Sequence, residues 1–361
     1  MATITTRLWS TLTRLKPRAA SAGPARPGTP RPGLDTLSEQ GAPARSPLPL
    51  PRSDPRGIGG DSIWVTVLVE NSVHGRDLQA EHGLAFHVRT DHGQLLFDTG
   101  QTDLLLRNAA VLGLHLDAVQ TIALSHGHYD HTGGLDAVRQ VVRQARVFLH
   151  PDAVNVKFSG QPDGSARPVG MAGETTRHLQ QAQESVTWTR QPTEVLDGVF
   201  VTGEIPRGTA FEDTGGRFFL DEECTRPDLL LDDQAMFFDT ADGVVVLLGC
   251  AHAGVINTLR RIRDLTAGRP IHAVLGGFHL LAASEDRLGQ TLTGLEELGV
   301  KVIGAAHCTG QTATARLWTT FPNRCCTCAV GSRFVFRRLM VLAELPASRA
   351  VRATSWVAAT R

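Results

Sequence analysis

Three histidines and an aspartate fall within six positions of this 361-residue chain: His126, His128, Asp130 and His131. They sit in Ser125-His126-Gly127-His128-Tyr129-Asp130-His131-Thr132-Gly133-Gly134. Neutral imidazole nitrogen and carboxylate oxygen are the donors that borderline divalent metals take. The cluster follows the apolar run Thr121-Ile122-Ala123-Leu124. His126, His128 and His131 cannot share one helical face, so the spacing predicts a loop beyond a strand end that turns them inward. The competing reading is a solvated polar loop that is His-rich by accident. Matching parts elsewhere in the chain outweigh it.

Those parts are strand ends. Four apolar runs stop at or just before a histidine: Thr121–His126, Val244–His252, Ala273–His279 and Val302–His307. In an α/β sheet such ends gather on one edge, so residues far apart in sequence can meet there. A single strand-end histidine is usually a hydrogen-bonded structural residue. Four of them, one inside the dense cluster, favour a shared metal site. Other elements support the α/β pattern. Ile63–Val69, Ala85–Arg89 and Gln94–Phe97 read as strands, with a turn at Asp91-His92-Gly93. A helix from about Thr102 turns Leu105, Ala109 and Leu112 inward and stops near Gly113. Gly254–Gly268 carries an apolar stripe from Val255 to Leu265. Ser284 is placed to cap a helix that buries Leu288, Leu292, Leu295 and Leu298, with Glu285 and Asp286 in its first turn and Gly299 at its end.

Composition bounds the rest. With 36 basic and 36 acidic residues the formal net charge is zero, which gives no electrostatic reason to expect nucleic acid or an acidic partner. The six cysteines form no secreted disulfide pattern. No apolar run approaches the roughly 18–20 residues that span a bilayer. The expectation is a cytoplasmic protein. Residues 1–60, rich in Pro, Arg and Ala, read as a disordered extension because they bury too little apolar surface to offset ordering entropy. Their first part, with Arg7, Arg14, Lys16 and Arg18 and no acid, leaves organelle targeting or an incidental basic tail open. The folded domain is expected over 61–336, with a basic tail over 337–361.

These motifs resemble the metallo-β-lactamase superfamily. The carriers are Phe97-Asp98-Thr99-Gly100, the His-x-His-x-Asp-His core, and the downstream histidines. Further stretches resemble the branch named after a dihydropterin-ribofuranosylaminobenzene-phosphate synthase: Gly203-Glu204-Ile205-Pro206-Arg207, Leu231-Asp232-Asp233-Gln234-Ala235, Gly249-Cys250-Ala251-His252-Ala253-Gly254, Gly276-Gly277-Phe278-His279-Leu280 and His307-Cys308-Thr309-Gly310. The resemblance implies a four-layer αββα sandwich with metals at one edge. It also implies two divalent ions, zinc first, with manganese, magnesium or iron as alternatives. His126 and His128 would hold one ion, Asp130 and His131 the second. His307 would complete the second site, and His252 would serve the first or lie beside it. Asp98 would orient ligands, although an Asp capping a turn is an equal reading.

One departure from the family pattern stands out. No Asp occupies the usual place of a bridging carboxylate; the matching strand end is Gly249-Cys250-Ala251-His252. Cys250 is either a thiolate ligand or, more in keeping with buried cysteines, inert. His279 fits substrate contact, proton donation or a supporting role better than ligation. Tyr129 is read as packing. Arg207 could bind an anionic group, and a salt-bridged surface Arg is the alternative. Cys325, Cys326 and Cys328 lack a second ligand pair, so no zinc knuckle is expected. His74, His82, His92, His115 and His178 are expected to have no metal role.

The leading functional reading is a metal-dependent hydrolase. A metal-bound hydroxide would attack an ester, lactone or phosphoester, with Asp130 and His279 as catalytic groups and a small, anionic substrate. The branch resemblance implies a transferase instead, in which an aromatic amine displaces pyrophosphate from a dihydropterin diphosphate. A non-catalytic metal sensor stays open. An iron redox centre would call for a flavin-binding partner domain, and none is visible.

Overall fold

Strands in this chain are mostly short and strongly apolar, which suits sheets covered on both faces. The structure is a computed structural model that describes residues 62–338. In chain order its strands are β1 (Ser62–Val69), β2 (Ala85–Thr90), β3 (Gly93–Phe97), β4 (Val119–Ala123), β5 (Arg146–Leu149), β6 (Phe158–Gly160), β7 (Ala166–Pro168) and β8 (Val186–Trp188). They continue as β9 (Thr193–Leu196), β10 (Val199–Val201), β11 (Phe218–Phe219), β12 (Met236–Thr240), β13 (Gly243–Leu248), β14 (Ile271–Gly277), β15 (Val302–Ala306) and β16 (Arg333–Arg337). One sheet runs β16-β1-β2-β3-β4-β5-β8 and a second β15-β14-β13-β12-β10-β9; β11-β6-β7 form a small third sheet. The helices are α1 (Leu104–Val111), α2 (Tyr129–Thr132), α3 (Leu135–Val141), α4 (Gly173–Gln181), α5 (Val255–Leu265), α6 (Glu285–Glu297) and α7 (Gln311–Thr320).

Three apolar layers hold these elements together. Between the two large sheets lie Val65, Phe86, Val88, Leu95 and Phe97 against Val199, Met236, Phe238, Val245 and Leu275. The outer face of the first sheet packs Leu96 and Ile122 against Leu105 and Ala109 of α1 and Leu135 and Val138 of α3. The outer face of the second packs Val246 and Val274 against Ile256 and Leu259 of α5, Leu292 and Leu295 of α6, and Leu317 of α7. Helix, sheet, sheet, helix is the expected αββα sandwich. Core burial of this kind is worth roughly 25 cal/mol for each Å² of apolar surface removed from water.

The local expectations are met closely. Ser284 caps α6, its hydroxyl accepting from the Arg287 N–H. α1 ends before Gly113, whose φ is +68°. Two boundaries change. The motif was expected to be a loop, yet Tyr129–Thr132 form one helical turn, α2, with His128 at its N-terminal boundary. The basic tail was set to begin at 337, but Arg337 ends β16, and Arg338 bridges Thr240 and pairs with Asp197 at 2.7 Å. Those two residues therefore belong to the sheet edge. The expectations for 1–60 and the rest of the tail lie outside the described residues. Among the described residues no helix is long and apolar enough to cross a membrane.

What matters for chemistry is the direction of the strands. β3, β4 and β5 run parallel in the first sheet, and β13, β14 and β15 run parallel in the second. Their C-terminal ends bring the residues that follow them to one edge of the sandwich. Phe238 spans the layer between the sheets and is 0% exposed. Phe238→Ala is expected to lower the unfolding free energy by about 3–5 kcal/mol in denaturant titration. A loss under about 1 kcal/mol would contradict a packed inter-sheet layer at this position.

Candidate metal centre

The end of β3 supplies the first fixed point. Asp98 has φ +62°, a left-handed conformation uncommon for non-glycine residues. Its carboxylate is 0% exposed. Oδ1 accepts from the Ser125 N–H at 2.6 Å, and Oδ2 accepts from the Ser125 hydroxyl at 2.7 Å. Oδ2 also lies 2.7 Å from His131 Nδ1. This fixes the ring so that Nε2 faces the centre. Gly249 permits the approach, because a Cβ there would sit 2.0 Å from Ser125 Oγ.

The second fixed point holds Gly127. Its N–H donates to Asp232 Oδ2 at 2.8 Å, and Asp232 Oδ1 accepts from Lys157 Nζ at 3.0 Å. Lys157 is 1% exposed and also pairs with Asp228 at 2.8 Å. A buried ammonium is tolerable only with such partners. A Cβ on Gly127 would come within 2.1 Å of the Ala153 carbonyl oxygen, so only glycine fits between His126 and His128. Asp232, Asp233 and Gln234 were recognised as a motif without a role. Asp233 accepts the Ala253 N–H at 2.8 Å, and Gln234 donates to the Leu124 carbonyl at 2.8 Å. The whole stretch braces the two loops that carry the histidines.

Within this frame two groups of donors converge. His126 Nε2 and His128 Nδ1 are 3.0 Å apart, and one ring nitrogen of His252 lies within 4.8 Å of ligand atoms on both residues. His252 Nδ1 bonds the Thr214 carbonyl at 2.8 Å, which leaves Nε2 for the centre. In the second group, His307 Nε2 lies 3.3 Å from Asp130 Oδ2 and 3.2 Å from His131 Nε2. His131 Nε2 is also 3.1 Å from Cys250 Sγ. Cys250 thus faces the donors rather than an apolar interior. His307 is oriented by Asn71, whose Oδ1 is 3.0 Å from Nδ1. Its N–H donates to Glu70 at 2.7 Å. Ala251, His279 and His307 share the left-handed conformation of Asp98, with φ of +54°, +46° and +53°. Strained backbone at four strand ends around one point is the pattern of a functional site.

The electrostatics suit a cation. Burial strips protons from His126 and His252, driving both well below the ordinary histidine value. It takes His128 down to about 3. All three therefore offer free lone pairs at neutral pH. Burial also opposes charge on His131, but the Asp98 and Asp130 carboxylates outweigh it and hold this ring up to about 9. Asp130 stays well below the usual carboxylate range despite burial, chiefly because of His131. His128 Nε2 and His252 Nε2 are buried without a hydrogen-bond partner. Crowded nitrogen donors with unpartnered buried atoms are costly unless a cation satisfies them. The donor set of imidazole, carboxylate and thiol fits borderline divalent ions.

The expected site residues His126, His128, Asp130, His131, His252 and His307 are thus brought together, with Asp98 and Cys250 against them. His279 stands at the wall, its ring 4.2 Å from that of His252. Arg207 donates from Nη1 to the His252 carbonyl and from Nη2 to the Leu229 carbonyl, each at 2.7 Å. Two of its five N–H donors thus brace the loops that carry His252 and Leu229. His82 was missed. Its Nε2 lies 3.1 Å from Asp130 Oδ2, and that hydrogen bond raises its pKa. Nothing in the local sequence marks it, because its partner is 48 positions away. Asn71 and Lys157 were missed for the same reason.

His82, His128, Asp130, Cys250, His279 and His307 line a cavity of about 920 Å³. Tyr129 lines it too, beside His128, Asp130 and His279.

Comparisons with known proteins agree with this geometry. Residues 79–211 match the family model of the metallo-beta-lactamase superfamily. The chain is 29% identical over 265 residues to the 7,8-dihydropterin-6-methyl-4-(beta-D-ribofuranosyl)-aminobenzene-5'-phosphate synthase of Methanocaldococcus jannaschii, covering 69% of this chain and 88% of that one. It is 32% identical to Tm1679, a solved structure described as a metal-dependent hydrolase of the beta-lactamase superfamily, with a TM-score of 0.63 and coverage of 75% of this chain and 98% of that one. The chain therefore belongs to the metallo-beta-lactamase superfamily, and it is an enzyme of the hydrolase or related transferase kind.

Proposed function

We propose that this enzyme is a metal-dependent hydrolase of an ester, lactone or phosphoester, with two divalent ions, zinc first among them. The observation that carries the reading is the convergence of His126, His128 and His252, with His128 Nε2 and His252 Nε2 buried and unpartnered, beside a cavity that His128, Asp130 and His307 line. His126, His128 and His252 would hold one ion. Asp130, His131 and His307 would hold the other, with Cys250 as an adjoining thiol donor and His82 fixing the far side of Asp130. Ions bound there supply Lewis acidity and a water of lowered pKa.

The chain's own groups then have separate duties. Asp98 holds the His131 ring in one orientation, with Nε2 toward the other donors. Asn71 and Glu70 do the same for His307. Phe218 covers His128 and His252 with ring contacts of 5.0 and 5.2 Å, which limits water over these histidines. His279 is the proton donor to the departing oxygen. Its Nδ1 is buried without a partner. Burial works against its charge, but neighbouring Cys308 outweighs that and raises the pKa, which favours the protonated ring that a proton donor needs. Water adds to the acyl or phosphoryl centre and releases a proton to solvent, the bond to the leaving oxygen breaks, that oxygen takes the His279 proton, and His279 is reprotonated from solvent before the next turnover.

A second reading rests on the 29% identical synthase relative. Here an aromatic amine displaces pyrophosphate from a dihydropterin diphosphate. The same residues would then steady phosphate oxygens and no water would be consumed.

Three experiments separate these ideas. Elemental analysis of His128→Ala and Asp130→Ala is expected to show the loss of roughly one ion per chain in each. Full metal content in both variants would refute the ligand assignment. Turnover of a generic phosphodiester or lactone by the metal-loaded chain is expected. Silence on a hydrolysable panel, with turnover of the pterin diphosphate pair, replaces the hydrolase by the transferase. His279→Gln is expected to keep its metal and lower kcat about 10²-fold. Because the protonated ring is the active form and its pKa is raised, wild-type kcat falls on the alkaline side above that pKa. The variant should lack this limb, and a retained limb assigns the proton to another group.

A further inference from the structure

One wall of the cavity has a composition that metal binding does not explain. α7 buries Ala313 and Leu317, but Gln311, Thr314, Ala315 and Trp318 all line the cavity. Those positions are spaced i, i+3, i+4 and i+7, a single helical face. Trp318 remains 42% exposed, and Leu281, which lines the same space after β14, is 74% exposed. The cavity wall thus offers two open apolar groups, an indole and an isobutyl group, beside polar chemistry.

The hairpin of β6 and β7 contributes a different group. Arg167 of β7 lines the cavity, and its side chain makes no hydrogen bond or ion pair among the described residues. Its place is set by the metal loop itself. The Val169 carbonyl accepts from the Tyr129 N–H at 3.0 Å, and Gly170 bridges His128. The carboxylates on the cavity wall do not neutralise it. Glu70 is taken by Ser72 and the His307 N–H, and Asp130 by His82 and His307. Arg167 is thus a guanidinium with unused donors on the wall of the cavity that His128 and Asp130 also line, and guanidinium pairs well with carboxylate or phosphate.

We propose that the cavity selects a substrate with two features beyond its scissile group: a planar apolar body laid on Trp318 and Leu281, and an anionic group paired with Arg167. The inference rests on the reading of the cavity floor as the reacting centre. It assigns substrate choice to α7 and the β6–β7 hairpin, with Arg167 as the anion-binding residue.

The test is a binding measurement that needs no turnover. The full zinc-loaded chain is titrated by calorimetry with para-carboxyphenylphosphonate and with para-carbamoylphenylphosphonate. These probes share a ring and a phosphonate and differ only in the distal charge. The wild type is expected to bind the carboxylate about tenfold more tightly. Arg167→Gln should bring that ratio to about one by weakening the carboxylate alone. Trp318→Ala should weaken both probes about fivefold and keep their ratio. Both substitutions lie on exposed positions, and circular dichroism checks that the variants are folded. A wild-type ratio near one, a ratio unmoved by Arg167→Gln, unaltered affinity in Trp318→Ala, or no binding of either probe overturns the proposal. A chain that binds with these ratios yet hydrolyses nothing overturns the hydrolase reading instead and leaves this one standing.

Discussion

Asp98 accepts three hydrogen bonds in a space closed to water, and the geometry of the centre depends on them. A buried carboxylate without partners would cost several kcal/mol. With partners it becomes a rigid joint. Two of its bonds tie the end of β3 to Ser125 beyond β4, and the third fixes the His131 ring. Ser125 in turn touches His126 Nδ1 at 2.8 Å. One residue thus sets the orientation of a histidine in each donor group. Its left-handed backbone is the strain that this arrangement carries.

The second sheet meets this joint from the other side. Three parallel strands, β13, β14 and β15, end where Cys250, His252, His279 and His307 follow. Their approach is close because Gly249 stands against Ser125 without a side chain. The Lys157–Asp232 pair performs the complementary task, holding the backbone between His126 and His128. Stability and function are therefore coupled. The apolar layers set the distance between the sheets, and that distance lets ligands from two sheets share one centre. Burial lowers the proton affinity of His126, His128 and His252 together, because a charged imidazolium loses its hydration there.

The cavity above divides the labour further. Its floor holds reactive groups, α7 offers an apolar face, and the β6–β7 hairpin brings a cation. Superfamily members can keep such a floor and vary the walls, so fold and reaction type alone do not name a substrate.

Much was legible before any coordinates. The His-x-His-x-Asp-His spacing, the strand-end histidines and the apolar periodicities follow from local chemistry, and local patterns survive in a linear string. The four layers followed from recognising those motifs. Other features belong to the tertiary structure alone. His82 meets Asp130 across 48 positions, and Lys157 meets Asp232 across 75. Neither residue has a neighbour that marks it. That Arg207 gives two of its N–H donors to backbone carbonyls is decided by the fold, while Arg167 had no motif to recommend it. Cys250 read as inert because burial is the usual fate of cysteine, yet its direction toward His131 is decided by packing. The sequence by itself determined which donors exist and that they lie at strand ends. Only the fold decided which of them meet, because hydrogen-bond partners and cavity walls are selected by distance in space.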